Sequence, residues 1–450
     1  VYNNKNLKKF NDFSEVVMKT VKILLLVVFA LALACAAASC GGPDPAATGG
    51  GAQAGAGDDI PGLDPGGGRE PEPEGSNLPD MDYGGYVFTV VARGSNHGDW
   101  QALDIFAETI DGETINDAVF QRNAFIEDTY GVIIQQLDSN NIFGDVQKAV
   151  RAGDDTFDAA NPVLEDAVRI ANNSLFYNLN NMRYLDLDKP WWDQSVRNSF
   201  DIIGKLYMIT GSISISYDDA TWVMMFNKKL HSDLGIEDIY GLVKEGAWTT
   251  DKFYSLTKGL YQDLDNDGRK SNDDFYGFAT HENSVDGFFY GSGLNIVGKD
   301  PNGALSLVMS SPKTSSVLEK SVEILHASPD NLCTPVARWA DIQKIFETDR
   351  ALFFGEVLQC VIRLRQMETN FGVVPFPKWD ENQEKYLSFV APAASVYGVP
   401  ATAPDPDRTS FILEAMAYQS NVELTPAYFN IVLEGKQFRD EESADMLKII

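Results

Sequence analysis

Residues 86–92 read Tyr86-Val87-Phe88-Thr89-Val90-Val91-Ala92, a nearly unbroken apolar run rich in β-branched side chains. That composition predicts a strand covered on both faces. Ile115, Val119, Ile126 and Tyr130 follow at spacings of 4, 7 and 4, which places them on one face of a helix. Gly131 ends that helix and Val132-Ile133-Ile134 opens a second strand. Strand, helix, strand in this order requires a parallel pair, so the first lobe is expected to be α/β. A helix over Val146–Ala152 then leads to a third strand at Phe157–Ala160.

The alternation continues downstream. Trp248 and Phe253 bracket Thr249 as a hydrophobic staple around an N-cap, opening a helix expected over Thr250–Gln262. Val317, Leu318, Val322 and Leu325 line another helix, and Ile342, Ile345 and Phe346 line one that feeds a strand at Ala351–Phe354. A chain of 450 residues suits two or three domains. Its 65 acidic against 36 basic residues give a net charge of −29, which repels phosphate backbones and excludes nucleic acid as a partner. The 44% apolar content excludes wholesale disorder, and four cysteines exclude a disulfide scaffold. Cys333 and Cys360 are read either as a disulfide or as two shielded thiols.

The front end reads as an address. Residues 1–17 lack signal-peptide character and are expected to be an upstream extension that is not native, with Met18 the start. Lys19 and Lys22 precede an apolar run from Ile23 to Ala38, shorter than the roughly 20 residues that span a bilayer and suited to a secretory signal over 18–39. The alternative is an uncleaved anchor. Ala36-Ala37-Ala38-Ser39 before Cys40 resembles the lipobox of bacterial lipoproteins, with Ala37 where leucine is usual and Cys35 as a competing site. Cys40 is the expected lipidation site. Residues 40–80, rich in Gly and Pro, read as a flexible tether of roughly 35 Å r.m.s. reach.

Three further stretches occur in a telling order. Gly204-Lys205-Leu206-Tyr207 leads to Trp222-Val223-Met224-Met225-Phe226-Asn227-Lys228. Phe346–Phe353 and Phe371-Gly372-Val373-Val374-Pro375-Phe376-Pro377 follow. Together these resemble family 1 extracellular solute-binding proteins, the sugar-binding subunits of bacterial ABC importers, with Asp349 where the family has glycine. The resemblance implies a two-lobed periplasmic-binding-protein-like fold of type II, with a hinge crossed several times and a cleft between lobes. It implies that lobe one takes 80–219 and 356–421, that lobe two takes 220–355 and 422–450, and that further C-terminal residues are missing.

The sharpest local motif is the loop Asp263–Asp274, with oxygen ligands Asp263, Asp265 and Asp267 at positions 1, 3 and 5 and glycine at 6. The Arg269 carbonyl stands at position 7, Ser271 at 9 and Asp274 at 12, a spacing that wraps oxygens around calcium. The bland alternative is an Asx-rich turn needing no metal. A bound ion would pin the end of the Thr250–Gln262 helix.

Aromatic residues supply the second signal, since a pyranose ring needs a flat face and a polar rim. Trp191 and Trp192 are candidates because adjacent residues of an extended segment cannot both face inward. Trp248 and Trp339 are read as core. Asp218 and Asp219 stand where the chain would first cross between lobes, just before Trp222, and Glu356 stands at the return crossing. The likeness assigns Asp219, Trp222 and Glu356 to the site. Arg93 and Asn161 follow the first and third strands, at the C-terminal strand ends where α/β clefts form.

Four lone histidines, His97, His231, His281 and His326, carry no metal or catalytic spacing, and no GxSxG, Walker A or GxGxxG motif is present. The expectation is an extracytoplasmic, lipid-anchored and monomeric receptor, not an enzyme, that hands a carbohydrate to ABC permease subunits. A secreted carbohydrate-active hydrolase using two carboxylates, and a receptor for peptides or another non-sugar solute, are the alternatives.

Overall fold

The computed structural model describes residues 75–434 and 441–450. The expected extension, signal segment, Cys40, Cys35 and all but the last residues of the tether lie outside the described residues. Everything below belongs to one unit, Pro73–Ile450.

The first sheet has the order β2-β1-β3 and is parallel throughout, from β1 (Tyr86–Arg93), β2 (Val132–Ser139) and β3 (Ala159–Ala160). Period-two alternation explains why β1 is apolar along its length. Phe88, Val90 and Ala92 pack with Ile126 and Ile134 on one face, and Val91 packs with Ile142, Val146 and Ile170 on the other. The helix Thr114–Tyr130 ends at Gly131, whose φ of +62° is the left-handed conformation that lets its N–H close on Glu127 O.

The second lobe contributes β4 (Trp222–Asn227), β5 (Tyr276–His281), an exposed hairpin of β6 (Val297–Lys299) and β7 (Leu305–Leu307), then β8 (Asn331–Thr334), β9 (Ala351–Val357) and β10 (Phe371–Pro375). Its main sheet has the order β10-β4-β9-β5-β8, antiparallel on the β10 side and parallel from β9 to β8. The helix Thr250–Thr257 opens as its sequence dictates. Thr249 accepts from Lys252 N, and the Trp248 and Phe253 rings meet edge-on at 5.8 Å. A side-chain cap of this kind is worth about 1 kcal/mol. The helix stops at Thr257 rather than Gln262, so the Asp263 loop does not sit at its end.

Asp349 stands at φ +58° between the helix Trp339–Glu347 and β9. Aspartate tolerates this region better than most residues. Its two oxygens accept from Asn227 Nδ2 at 2.6 Å and Thr369 Oγ1 at 2.9 Å, which fixes the turn where the resembled family uses glycine.

The chain returns to the first lobe later than the expected position 356. Phe371–Pro375 still pairs with β4, and backbone pairing with the first lobe resumes through Ser395 on Val163, Tyr397 on Ile209 and Gly398 on Ala160. The helix Leu424–Glu434, expected in lobe two, packs on the first-lobe helix Thr114–Tyr130. The helix Glu441–Ile449 covers β10, the edge strand of the second sheet, with Met446 fully buried and Ser443 Oγ 3.0 Å from Tyr240 Oη. Cys333 and Cys360 are free thiols. Among the described residues no helix is long and apolar enough to cross a membrane.

Candidate ligand cleft

A cavity of about 960 Å³ opens at the C-terminal ends of β1 and β3. Its first-lobe wall is the loop after β1, including Trp100 and Asp104, with Asn161 and Ser395 beside it. Gln359, Ile362 and Arg363, just after β9, form the facing wall, and Asp219 and Tyr428 line it as well. The site therefore lies where the strand-end rule for α/β sheets puts it.

β1 and β3 are neighbours, with Val91 opposite Ala160, so Arg93 and Asn161 emerge side by side. Arg93 is 6% exposed and donates from Nη2 to Ser395 Oγ at 2.9 Å, while its Nε has no partner. Burial lowers its pKa to about 10, against the opposing pull of Asp104 and Asp219. Its guanidinium lies 5.8 Å from the Trp100 ring centre. Asn161 is 1% exposed; its backbone N–H donates to Val91 O, and its side-chain Nδ2 has no partner. Buried donors without acceptors are costly, about 1–3 kcal/mol each, and mark places where something else is meant to accept.

The wall is held stiffly. Arg122 donates to the carbonyls of Asp104 at 2.7 Å and Ile105 at 2.8 Å. The Asp104 Oδ2 accepts from Ser214 Oγ and Ile215 N at 2.8 and 2.9 Å, tying this wall to the segment that crosses between lobes. Asp219 closes that crossing segment and accepts from Tyr428 Oη at 2.8 Å. Burial, with Asp104 adding, raises the Asp219 pKa to about 7. The two lobes meet directly where Gln359 Nε2 donates to Asp99 O at 2.6 Å and Arg363 Nε lies 3.6 Å from the Asp99 carboxylate.

Three of the eight expected ligand residues, Arg93, Asn161 and Asp219, thus share one cavity. Asp218 is half-buried beside Asp219, outside the lining, with its pKa also raised, chiefly by burial. Trp191 and Trp192 require a correction. Both are 1% exposed, and their indole N–H groups donate to the two oxygens of one carboxylate, Glu414, at 3.0 and 2.8 Å. Alternation fails there because the segment is a turn and not a sheet strand. Trp192 N closes on Lys189 O, and the chain presses so tightly on Gly211 that a Cβ there would meet Trp191 O at 2.1 Å. Trp222 and Glu356 are also corrected: both are buried inside lobe two and neither lines the cavity. Glu356 Oε2 lies 3.1 Å from His281 Nε2, and the Trp222 ring sits edge-on to that imidazole at 5.2 Å.

Trp248 is core as expected, whereas Trp339 is 37% exposed beneath the Arg363 guanidinium, 4.7 Å away. Tyr428, Gln359 and Arg363 were invisible to pattern reading. Gln359 follows Glu356 by three positions, so the strand-end rule extended by three residues reaches it, whereas Arg363 lies seven positions on and beyond that reach.

In the acidic loop, carboxylate oxygens of Asp263, Asp265 and Asp267 lie within 4.8 Å of one another, and Asp263 Oδ1 has no hydrogen-bond partner. That oxygen and its neighbours fit a hard cation. Asp274 stands apart from them. It is buried and accepts from Ser271 N at 2.7 Å, Leu264 N at 3.2 Å and Tyr261 Oη at 3.3 Å, which leaves it holding the loop's base. Arg269 N donates to Asp267, and Ser271 Oγ accepts from Asp273 N.

No protein-family profile and no curated protein matches the sequence. Solved structures do match in fold. A cyclo/maltodextrin-binding protein solved with maltotetraose has a TM-score of 0.54 at 14% identity, over 80% of this chain and 84% of that one. UspC of M. tuberculosis has 0.52 at 12% identity, over 76% and 84%. The GacH receptor of Streptomyces glaucescens, solved unliganded and with acarbose, has 0.50 at 12% identity, over 81% and 84%. At these identities the likeness is one of fold: the chain has the two-lobed α/β fold of maltodextrin-binding-type proteins.

Proposed function

We propose that this chain is an extracytoplasmic receptor that captures an oligosaccharide between its lobes and passes it, chemically unaltered, to the permease subunits of an ABC importer. The observation that carries this reading is the pair of buried, unpartnered donors, Arg93 Nε and Asn161 Nδ2, on the floor of an interlobe cavity beside Trp100. A sugar supplies what the site lacks: ring and hydroxyl oxygens for the donors and a C–H face for the indole. Gln359 and Arg363 reach the same space from the other lobe, so a ligand there favours closure. Neighbours of this fold were solved with maltotetraose and acarbose, which supports a glycan ligand. Micromolar affinity corresponds to about −8 kcal/mol, within reach of one stacked ring and several hydrogen bonds. Lipidation at Cys40 would hold the receptor at a membrane.

Isothermal titration with neutral, basic and acidic oligosaccharides and with peptides tests this, with chromatography of the recovered ligand. Binding of a glycan recovered intact is expected. Binding of peptides alone, or recovery of cleaved sugar, overturns it.

Calcium belongs to the same proposal as a structural ion held by Asp263, Asp265 and Asp267, where it would neutralise three clustered carboxylates. Chelation is expected to lower the melting temperature by about 1–2 °C, the shift of a change of about 1 kcal/mol in a protein this large. A melting curve indifferent to chelator and to added calcium counts against the ion.

A further inference from the structure

The cleft's charges do not balance, and this imbalance names a ligand class. The inference rests on the receptor reading above. Carboxyl groups lining the cavity are Asp99, Asp104, Asp111, Glu113, Asp138 and Asp219, the last with its pKa raised to about 7 by burial, so at pH 6 five carboxylates stand against the three guanidiniums of Arg93, Arg363 and Arg365. The cations on the floor already have carboxylates near them, although Arg93 Nε and Arg363 Nε both lack a hydrogen-bond acceptor. Arg363 lies 3.6 Å from Asp99 and stacks on Trp339. Arg93 feels Asp104 and, once it ionises, Asp219, so an anion brought to its open Nε would meet the Asp104 carboxylate as well. A neutral oxygen would not.

The outer wall is different. Asp111 accepts only from neutral donors, Glu113 N at 2.9 Å and Asn116 Nδ2 at 3.0 Å, and Asp138 accepts from Gln136 Nε2 at 2.8 Å. Among the described residues neither these two nor Glu113 has a cation within ion-pair range. Arg365 is the remaining positive group of the lining, and it is exposed. The net charge of −29 adds its own field, and a cleft with low-dielectric walls concentrates that field. A complementary ligand therefore presents oxygens to Arg93 and Asn161 and protonated nitrogen to Asp111, Glu113 and Asp138. The buried, unpartnered Asn161 amide shows independently that the cavity is built to be filled.

We propose that the cleft selects an amine-bearing oligosaccharide, a glycan with free amino groups, and rejects uronates and sugar phosphates. The test compares three trisaccharides by isothermal titration at pH 6: the glucosamine trimer, its N-acetylated form and a galacturonic acid trimer. In about 20 mM salt the amine trimer is expected to bind at least about 10-fold tighter than the N-acetylated one. The gap is expected to narrow to about 3-fold or less in 0.5 M salt, and the uronate should give no heat. Joint replacement Asp111→Asn, Glu113→Gln and Asp138→Asn is expected to abolish the preference. Joint replacement of three exposed acids away from the cavity, Glu319→Gln, Glu368→Gln and Glu384→Gln, is expected to keep it.

Equal binding of the amine and acetylated trimers, tighter binding of the uronate, or a preference lost only in the second variant overturns this inference and leaves the receptor reading intact. Binding of none of the three, nor of any glycan, overturns both.

Discussion

The two lobes place polar side chains at the same kind of position and treat them in opposite ways. In lobe one, Arg93 and Asn161 end adjacent parallel strands and keep donors unpartnered on a cavity wall. In lobe two, His281 and Glu356 also end adjacent parallel strands, yet they pair with each other at 3.1 Å, about 4% and 8% exposed. A C-terminal strand end is thus only an opportunity. Whether it becomes a binding site depends on whether the chain supplies its own partner there. His281 has Glu356, whereas Arg93 has only the hydroxyl of Ser395.

The sharpest way to separate the two ends is to remove one polar group from each. Glu356→Ala leaves His281 buried against Trp222 and should cost about 3 kcal/mol of stability, read by urea unfolding, because a buried pair has lost one member. Glycan affinity of the folded protein should stay within about twofold, as Glu356 lies outside the cavity. Arg93→Met should do the reverse. It removes a desolvated cation that lacks an ion-pair partner, so stability should stay within about 1 kcal/mol while titration shows glycan affinity falling about 100-fold, or about 2.8 kcal/mol. If the two variants exchange these phenotypes, the contrast between the lobes is wrong.

Smaller effects test buried carboxyls that follow neither pattern. Trp192→Phe keeps an aromatic ring but loses the fused pyrrole and with it one donor to Glu414, and should cost about 2–3 kcal/mol in urea unfolding with ligand affinity unchanged. Glu414 and Asp219 both have pKa values raised to about 7, chiefly by burial. Between the unfolded carboxyl range near pH 4 and that value, the folded protein holds protons that the unfolded chain releases. Their contribution is therefore full below about pH 4 and is lost as pH rises through 7. The melting temperature should be about 2–4 °C higher at pH 5 than at pH 8. A higher melting temperature at pH 8 would contradict the raised values.

What the sequence revealed follows from the range of the forces involved. The β1-helix-β2 unit was legible because periodicity and Gly131 are local, and Arg93 and Asn161 were legible because strand ends can be counted. Trp191 and Trp192 were misread because alternation governs sheet strands, and their real partner, Glu414, is more than 200 residues away. The run Phe371–Pro375 carried part of the family likeness, but nothing local in it says that it pairs with β4 in the second sheet. Tyr428 reaches Asp219 across 209 positions with no local trace.

The helix Glu441–Ile449 lies over β10, and Met446 plugs the core beneath. Without that helix the second sheet would present an open edge above an open core, the combination on which strands of neighbouring molecules pair, so loosening it would favour self-association ahead of global unfolding.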